Sequence, residues 1–229
     1  MFTERILYLV KGDRVTLASI DESDDDDASA DFYTTGNVEV DTALGGGVAK
    51  GAMYMLSGEP GAGKSTWAMC AIDWLRRYNG VECLYVSAEE DSRMLKRRRR
   101  LLNDTPGVYI QGDFAVTFSD SLDVDELIDK IEESHAKVVV IDSIQKLVCK
   151  GKRGAKSSLM AVEKLYAHAR SHGVTFICIC QSNKSGDFSG LQGLKHEVDC
   201  HLHFVNEDAQ LVGTIHVEKN RFGSTGVTF

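Results

Sequence analysis

The run Gly58-Glu59-Pro60-Gly61-Ala62-Gly63-Lys64-Ser65 constrains this chain more than any other feature. It matches the pattern G-x-x-x-x-G-K-[ST] in full, and it has the context that pattern needs. An apolar run over 51–57 reads as a strand before it, and a helical pattern follows to about Asn79-Gly80, where the glycine is a natural stop. Glycines let the backbone curl until several N–H groups face one point, and the N-terminus of the following helix adds partial positive charge there. Such a loop holds phosphate. Lys64 is expected to reach the β- and γ-phosphates of ATP, the Ser65 hydroxyl to coordinate Mg2+, and Thr66 to lie near the α-phosphate.

The rest of the chain fits an α/β frame from about Thr34 onward. Residues 83–87, 137–142 and 174–180 are nearly continuous apolar runs, as expected of strands buried on both faces of a parallel sheet. Residues 91–103, 122–133 and 157–172 read as helices between them; Val124, Leu127, Ile128 and Ile131 form one apolar stripe. Two final strands, about 199–205 and 211–218, are joined by Asn206-Glu207-Asp208-Ala209 and read as an antiparallel pair. The expected fold is therefore a mostly parallel twisted sheet with helices on both faces and an antiparallel pair at the C-terminal end.

Ahead of this domain, residues 1–20 read as a small arm with two short apolar runs split by Lys11-Gly12-Asp13. Residues 21–33 read as an acidic linker. Seven acids and no base lie within 21–31, so the net charge of −8 is local and the remainder of the 229-residue chain is near neutral. The acidic balance thus leaves room for basic patches that bind a polyanion. No window holds 18 apolar residues in a row, and the start lacks the pattern of a secretion signal. The six cysteines form no C-x-x-C pair and sit mostly in apolar runs, which points to a reducing cytoplasm without disulfides. In Cys200-His201-Leu202-His203, strand alternation sends Cys200 away from the two histidines, which argues against zinc there.

Ligands of open α/β sheets sit at the carboxyl ends of strands. Asp142 ends the apolar run Val138-Val139-Val140-Ile141 and is placed to hold Mg2+ through water. Glu89 and Glu90 follow the strand at 83–87. Glu89 is the favoured group to activate water, with Glu90 as the fallback. Gln181 ends the strand at 174–180, where an amide can contact the γ-phosphate and report its loss to the loop that follows. Three segments suit nucleic acid. One is the loop after the Asp142 strand with Lys150, Lys152, Arg153 and Lys156. The second is the glycine-rich loop after Gln181, bracketed by Lys184 and Lys195. The third is the run Arg93 and Lys96 to Arg100, which also reads as a solvated helix face.

Three further runs go beyond a phosphate loop. They are Thr35-Gly36-Asn37-Val38-Glu39-Val40-Asp41-Thr42-Ala43-Leu44-Gly45-Gly46-Gly47, Val140-Ile141-Asp142-Ser143-Ile144-Gln145, and Lys219-Asn220-Arg221-Phe222-Gly223. With them, residues 34–229 resemble the bacterial DNA-repair ATPase family RadA (Sms), within the wider RecA and DnaB-helicase superfamily. The resemblance implies a RecA-like P-loop core that assembles into rings, hexamers by expectation, on single-stranded DNA. It also implies that Lys219 and Arg221 are presented to a neighbour's ATP. Departures exist: the first 33 residues hold no cysteine where the family has a four-cysteine zinc module, the chain stops six residues after Gly223, and Gln181 stands where the family usually has histidine. A stripped, phage-like core is the expectation. A DnaB-like helicase or a RecA-like strand-exchange protein remains an alternative, as does a KaiC-like regulatory or scaffolding ATPase.

Overall fold

A computed structural model of the chain describes residues 6–11, 14–19, 31–104, 110, 115–118, 122–150, 155–181, 194–206 and 213–229. The chain forms two units, Met1–Asp31 and Phe32–Phe229. In the first, β1 (Ile6–Lys11) pairs antiparallel with β2 (Arg14–Ser19), from Ile6 opposite Ser19 to Lys11 opposite Arg14. These strands lie on either side of Lys11-Gly12-Asp13 in the sequence. Residues 21–30 of the acidic linker lie outside the described residues.

Phe32 and Tyr33, which end the linker in the sequence reading, belong to the second unit. As β3 (Phe32–Tyr33) they pair antiparallel with β4 (Val48–Ala49). Between them lies α1 (Val38–Leu44), capped by the Asn37 side chain, which accepts from Glu39 N and Val40 N. Asp41 reaches back from α1 to accept from Thr35 N at 2.9 Å and from the Thr35 hydroxyl at 2.7 Å, closing the entry turn.

The remaining strands and helices alternate: β5 (Met53–Gly58), α2 (Lys64–Asn79), β6 (Cys83–Ser87), α3 (Ser92–Asn103), β7 (Ala115–Phe118), β8 (Leu122–Asp123), α4 (Val124–Ser134), β9 (Val138–Asp142), a 3-10 turn (Ile144–Lys146), β10 (Leu147–Val148), α5 (Ala155–His172), β11 (Thr175–Ile179), α6 (Leu194–Glu197), β12 (Cys200–Val205) and β13 (Thr214–Asn220). Seven strands form one sheet in the order β13-β12-β5-β11-β9-β6-β7. All neighbours are parallel except β12 and β13. The expected fold is observed, including the antiparallel closing pair.

Alternation along each central strand splits the core into two layers. Tyr54, Leu56, Tyr85, Val140 and Ile177 face α2, with Trp67, Ile72 and Leu75 packed on them. Met53, Met55, Val86, Ile141 and Phe176 face the other way, onto Leu127 and Ile131 of α4 and Leu165 of α5. Side chains of the central strands are buried on both faces, which is why their sequences read as continuous apolar runs rather than alternating ones. All six cysteines are free and buried, and burial pushes the Cys83, Cys180 and Cys200 thiols up to about 12. Among the described residues no helix is long and apolar enough to cross a membrane.

Candidate nucleotide site

Parallel pairing aligns the carboxyl ends of five strands, β12, β5, β11, β9 and β6, along one edge. In register, Ser87 and Ile179 each stand opposite Asp142, Leu56 stands opposite Ile179, and Ser57 stands opposite His203. Backbone bonds continue past the strands: Ala88 N donates to Asp142 O at 2.7 Å, and Cys180 N to Leu56 O at 2.8 Å. The phosphate loop, Glu89, Asp142 and Gln181 therefore emerge side by side.

The loop leaves β5 at Gly58, whose φ is +140°; a Cβ there would sit 2.3 Å from Phe204 O, so only glycine fits against β12. Gly61, at φ +85°, has open space where a Cβ would be, so there the need is conformational. Lys64 is buried at the start of α2, and its Nζ donates to Gly58 O and Glu59 O, both at 2.8 Å. Burial pulls its pKa down, and Asp142, Cys180 and Glu89 oppose this. The ammonium is thus held inside the curl of its own loop, where a phosphate oxygen would also sit.

Asp142 is buried, and burial raises its pKa. Bonds from the hydroxyls of Tyr85, at 2.8 Å, and Ser65 pull the other way. Ser65 and Asp142 thus present hydroxyl and carboxylate oxygens at one point, a hard-oxygen set that suits Mg2+. Glu89 is exposed and held from two sides: Ser143 Oγ donates to its Oε1, and Gln181 Nε2 donates to its Oε2 at 2.7 Å. Gln145 braces that amide's backbone, donating from Nε2 to Gln181 O at 2.9 Å. Glu89, Gln181, Lys64, Ser65, Thr66 and Asp142 line one cavity of about 250 Å³.

Two residues of this cavity have roles that the sequence reading did not assign. Glu90 is engaged by Arg98, which forms an ion pair with it and also approaches Thr66 Oγ1 at 3.5 Å. Glu90 is therefore neutralised, whereas among the described residues no cation forms an ion pair with Glu89. Arg98 belongs to the basic run that reads as a solvated face. Leu95 and Leu102, the buried positions of α3, flank it at i−3 and i+4. That stripe is the signal that turns Arg98 inward.

Below the loop, His201 and His203 share a face of β12, opposite to Cys200, as strand alternation implies. Ser57 Oγ lies 2.6 Å from His201 Nε2 and 2.9 Å from His203 Nδ1, and His201 Nδ1 lies 2.9 Å from a Glu218 carboxylate oxygen. Glu218 favours a charged His201, but burial outweighs it and depresses the pKa to about 4. The neutral ring fits one relay: Nδ1–H donates to Glu218, and Nε2 accepts from Ser57.

Lys219 and Arg221 do not line this cavity. Lys219 Nζ donates to Lys195 O at 3.0 Å and His196 O at 2.9 Å. Arg221 Nη1 donates to the Tyr166 hydroxyl and to Asp199 Oδ1, both at 3.1 Å. Asp199 is fully buried and also accepts from Arg170 at 2.8 Å and from Met53 N at 3.0 Å. The run that contains them packs on the glycines after α1: a Cβ on Gly223 would lie 2.8 Å from Gly45 Cα, and Asn220 Nδ2 donates to Leu44 O at 3.1 Å. Two of the runs that carry the family resemblance are thus docked on each other.

Of the six lysines and arginines expected at nucleic acid, Lys152, Arg153 and Lys184 lie outside the described residues, as does the side chain of Lys156 in α5. Lys150 Nζ pairs with Glu126 at 2.6 Å, and Lys195 Nζ lies 3.6 Å from Glu218.

Residues 21–187 match the family model AAA_25, described as an AAA domain. Among curated proteins, the chain is 30% identical over 197 residues to the DNA repair protein RadA of Aquifex aeolicus (strain VF5), covering 84% of this chain and 42% of that one. The chain spans about two-fifths of the length of the curated relatives it matches. Among solved structures, the KaiC-like protein PH0186 of Pyrococcus horikoshii OT3 matches with a TM-score of 0.62 at 21% identity, over 82% of this chain and 88% of that one. The flagellar accessory protein FlaH of Methanocaldococcus jannaschii matches with a TM-score of 0.64 at 14% identity, over 86% and 92%. Those two likenesses concern the fold. Taken with the phosphate loop and the sheet order, the family match and the RadA relatives show that this chain belongs to the AAA_25 family and is a RadA-like, RecA-family ATPase core.

Proposed function

We propose that the chain is a cytoplasmic, Mg2+-dependent and DNA-stimulated ATPase of DNA repair or recombination, working on single-stranded DNA as an oligomeric ring, by expectation a hexamer. The observation that carries this is the pairing of Glu89 with Gln181 across the mouth of the phosphate loop. In this reading Lys64 and the loop 58–66, through its backbone N–H groups other than at Pro60, hold the phosphates. Ser65 and Asp142 hold Mg2+, which when bound neutralises charge on the terminal phosphates. Glu89 accepts the proton of the attacking water, and Gln181 holds its carboxylate while sensing the γ-phosphate from the strand that leads into the glycine-rich loop. Lys219 and Arg221 act in trans on a neighbour's ATP. In support, both are held on their own chain away from their own cavity, and a cation supplied by a neighbour makes hydrolysis depend on assembly.

Lys150, Lys152, Arg153, Lys156, Lys184 and Lys195 are proposed to track the DNA backbone. They sit in or beside the loops that follow Asp142 and Gln181, so strand binding and hydrolysis share structural elements. The likeness to a KaiC-like protein supports a second reading, in which nucleotide controls assembly and no DNA is moved. ATP turnover measured with and without single-stranded DNA separates the two. The repair reading expects stimulation that weakens as salt rises. An unchanged rate, with no salt-sensitive DNA binding, supports the regulatory reading instead.

A further inference from the structure

At the opposite edge of the sheet from the phosphate loop, the last turns of α4 and α5 lead into the starts of β9 and β11. There Glu132 of α4 meets His168 and His172 of α5. Each offers one ligand atom, and the three atoms lie within 4.8 Å of one another. The His-x-x-x-His spacing stacks two imidazoles one helical turn apart on one face. Their ring centroids are 4.2 Å apart with 20° between planes.

The His168 ring is buried against Phe176 and stacks on that of His172. Ser171 Oγ donates to Ala167 O at 2.9 Å and lies within hydrogen-bond distance, 2.8 Å, of His172 Nδ1. With Nδ1 engaged by Ser171, Nε2 is the His172 nitrogen that remains for a ligand, and such an outer contact is what orients metal-binding histidines. Among the described residues, neither the Glu132 carboxylate nor the His168 ring makes a hydrogen bond or an ion pair. The carbonyl ends of both helices add partial negative charge at this corner.

We propose that Glu132, His168 and His172 form a binding site for a divalent transition ion of the zinc class, which clips α4 to α5. Two imidazoles and one carboxylate select zinc, cobalt, nickel or copper over magnesium, so this site is distinct in chemistry and place from the one at Asp142. Zinc bound at about 2.0–2.1 Å draws its donors to within about 3.4 Å of each other. Rotation of the exposed Glu132 and His172 side chains supplies that movement. Three protein ligands leave one position for water.

The test uses the full chain, freed of metal with a chelator and then titrated with Zn2+ and, separately, Co2+. One-to-one Zn2+ binding with a dissociation constant of about 1–50 μM is expected, with a thermal midpoint that rises on binding. Co2+ should give visible bands of nitrogen and oxygen ligation. His172→Ala and Glu132→Gln alter exposed side chains, so both should fold, and each should weaken binding at least about tenfold. His203→Ala should bind as the unaltered chain does. Three results would overturn the site: no one-to-one binding at about 100 μM Zn2+, undiminished binding in both variants, or a Co2+ spectrum dominated by thiolate charge transfer.

Discussion

Gln181 donates from Nε2 to Glu89 Oε2 at 2.7 Å, joining the ends of two strands that are not neighbours in the sheet. The carboxylate so held faces the same cavity as Lys64 and Asp142. Glu89→Gln should therefore keep ATP binding and lower turnover by about 100- to 10,000-fold, the range for loss of a general base. Gln181→Ala should cost about tenfold, because the carboxylate stays but is no longer aimed. Single-turnover hydrolysis beside equilibrium binding of an ATP analogue separates the two effects. Equal loss of binding and turnover in Glu89→Gln would place Glu89 outside the chemistry.

If Asp142 holds Mg2+ as proposed, it should set the acid side of the pH profile. Burial raises its pKa above the ordinary 3.8, and Tyr85 counters this by donating to the ionised form. In the proposed role the metal needs the ionised carboxylate, so turnover should fall as pH drops through that raised value. Tyr85→Phe removes the donor, so the acid limb should move to higher pH and the Mg2+ requirement should rise. The stability sign is opposite: a raised carboxyl pKa favours the fold at low pH, and that contribution is lost as pH rises through the folded value. An acid limb unmoved in Tyr85→Phe would show that Asp142 does not govern it.

Arg98 neutralises Glu90 at the wall of the cavity. Arg98→Ala leaves a half-buried carboxylate without its cation and should cost about 1–3 kcal/mol of stability. The KM for ATP should rise as Glu90 repels the phosphates. Adding Glu90→Gln should recover part of both losses, measured by thermal unfolding and ATP titration. No recovery in the double variant would mean that Arg98 acts independently of Glu90.

The central strands were legible because burial on both faces writes an uninterrupted apolar run, as at Cys83–Ser87 and Thr175–Ile179. The edge was not. The strand Ala115–Phe118 is four residues at the rim and leaves little apolar record. The helix expected from 122 starts two residues later, because Leu122 and Asp123 pair with Leu147 and Val148, and Asp123 then caps the helix. Within the site, Glu89, Asp142 and Gln181 could be placed because strand ends converge in any parallel sheet. Arg98 could not be read from charge alone: a run of five basic residues looks solvated unless the buried Leu95 and Leu102 fix its phase. Asp199 left no signal at all. It is a single acid between apolar residues, and only the folded chain gathers Tyr166, Arg170 and Arg221 around it.

Whether the hydrolytic site is built from two subunits is decided most directly by mixing two inactive variants. Lys64→Ala should lose nucleotide binding and turnover, since it removes the ammonium that sits inside the phosphate loop. Arg221→Ala should bind ATP without hydrolysing it. In a mixed oligomer, the first variant can still present Arg221 to ATP held by the second. With single-stranded DNA present, the mixture should regain a substantial fraction of normal turnover, although each variant alone has almost none. A mixture no more active than its parts, with mixed oligomers verified, would contradict a site completed by the neighbouring subunit.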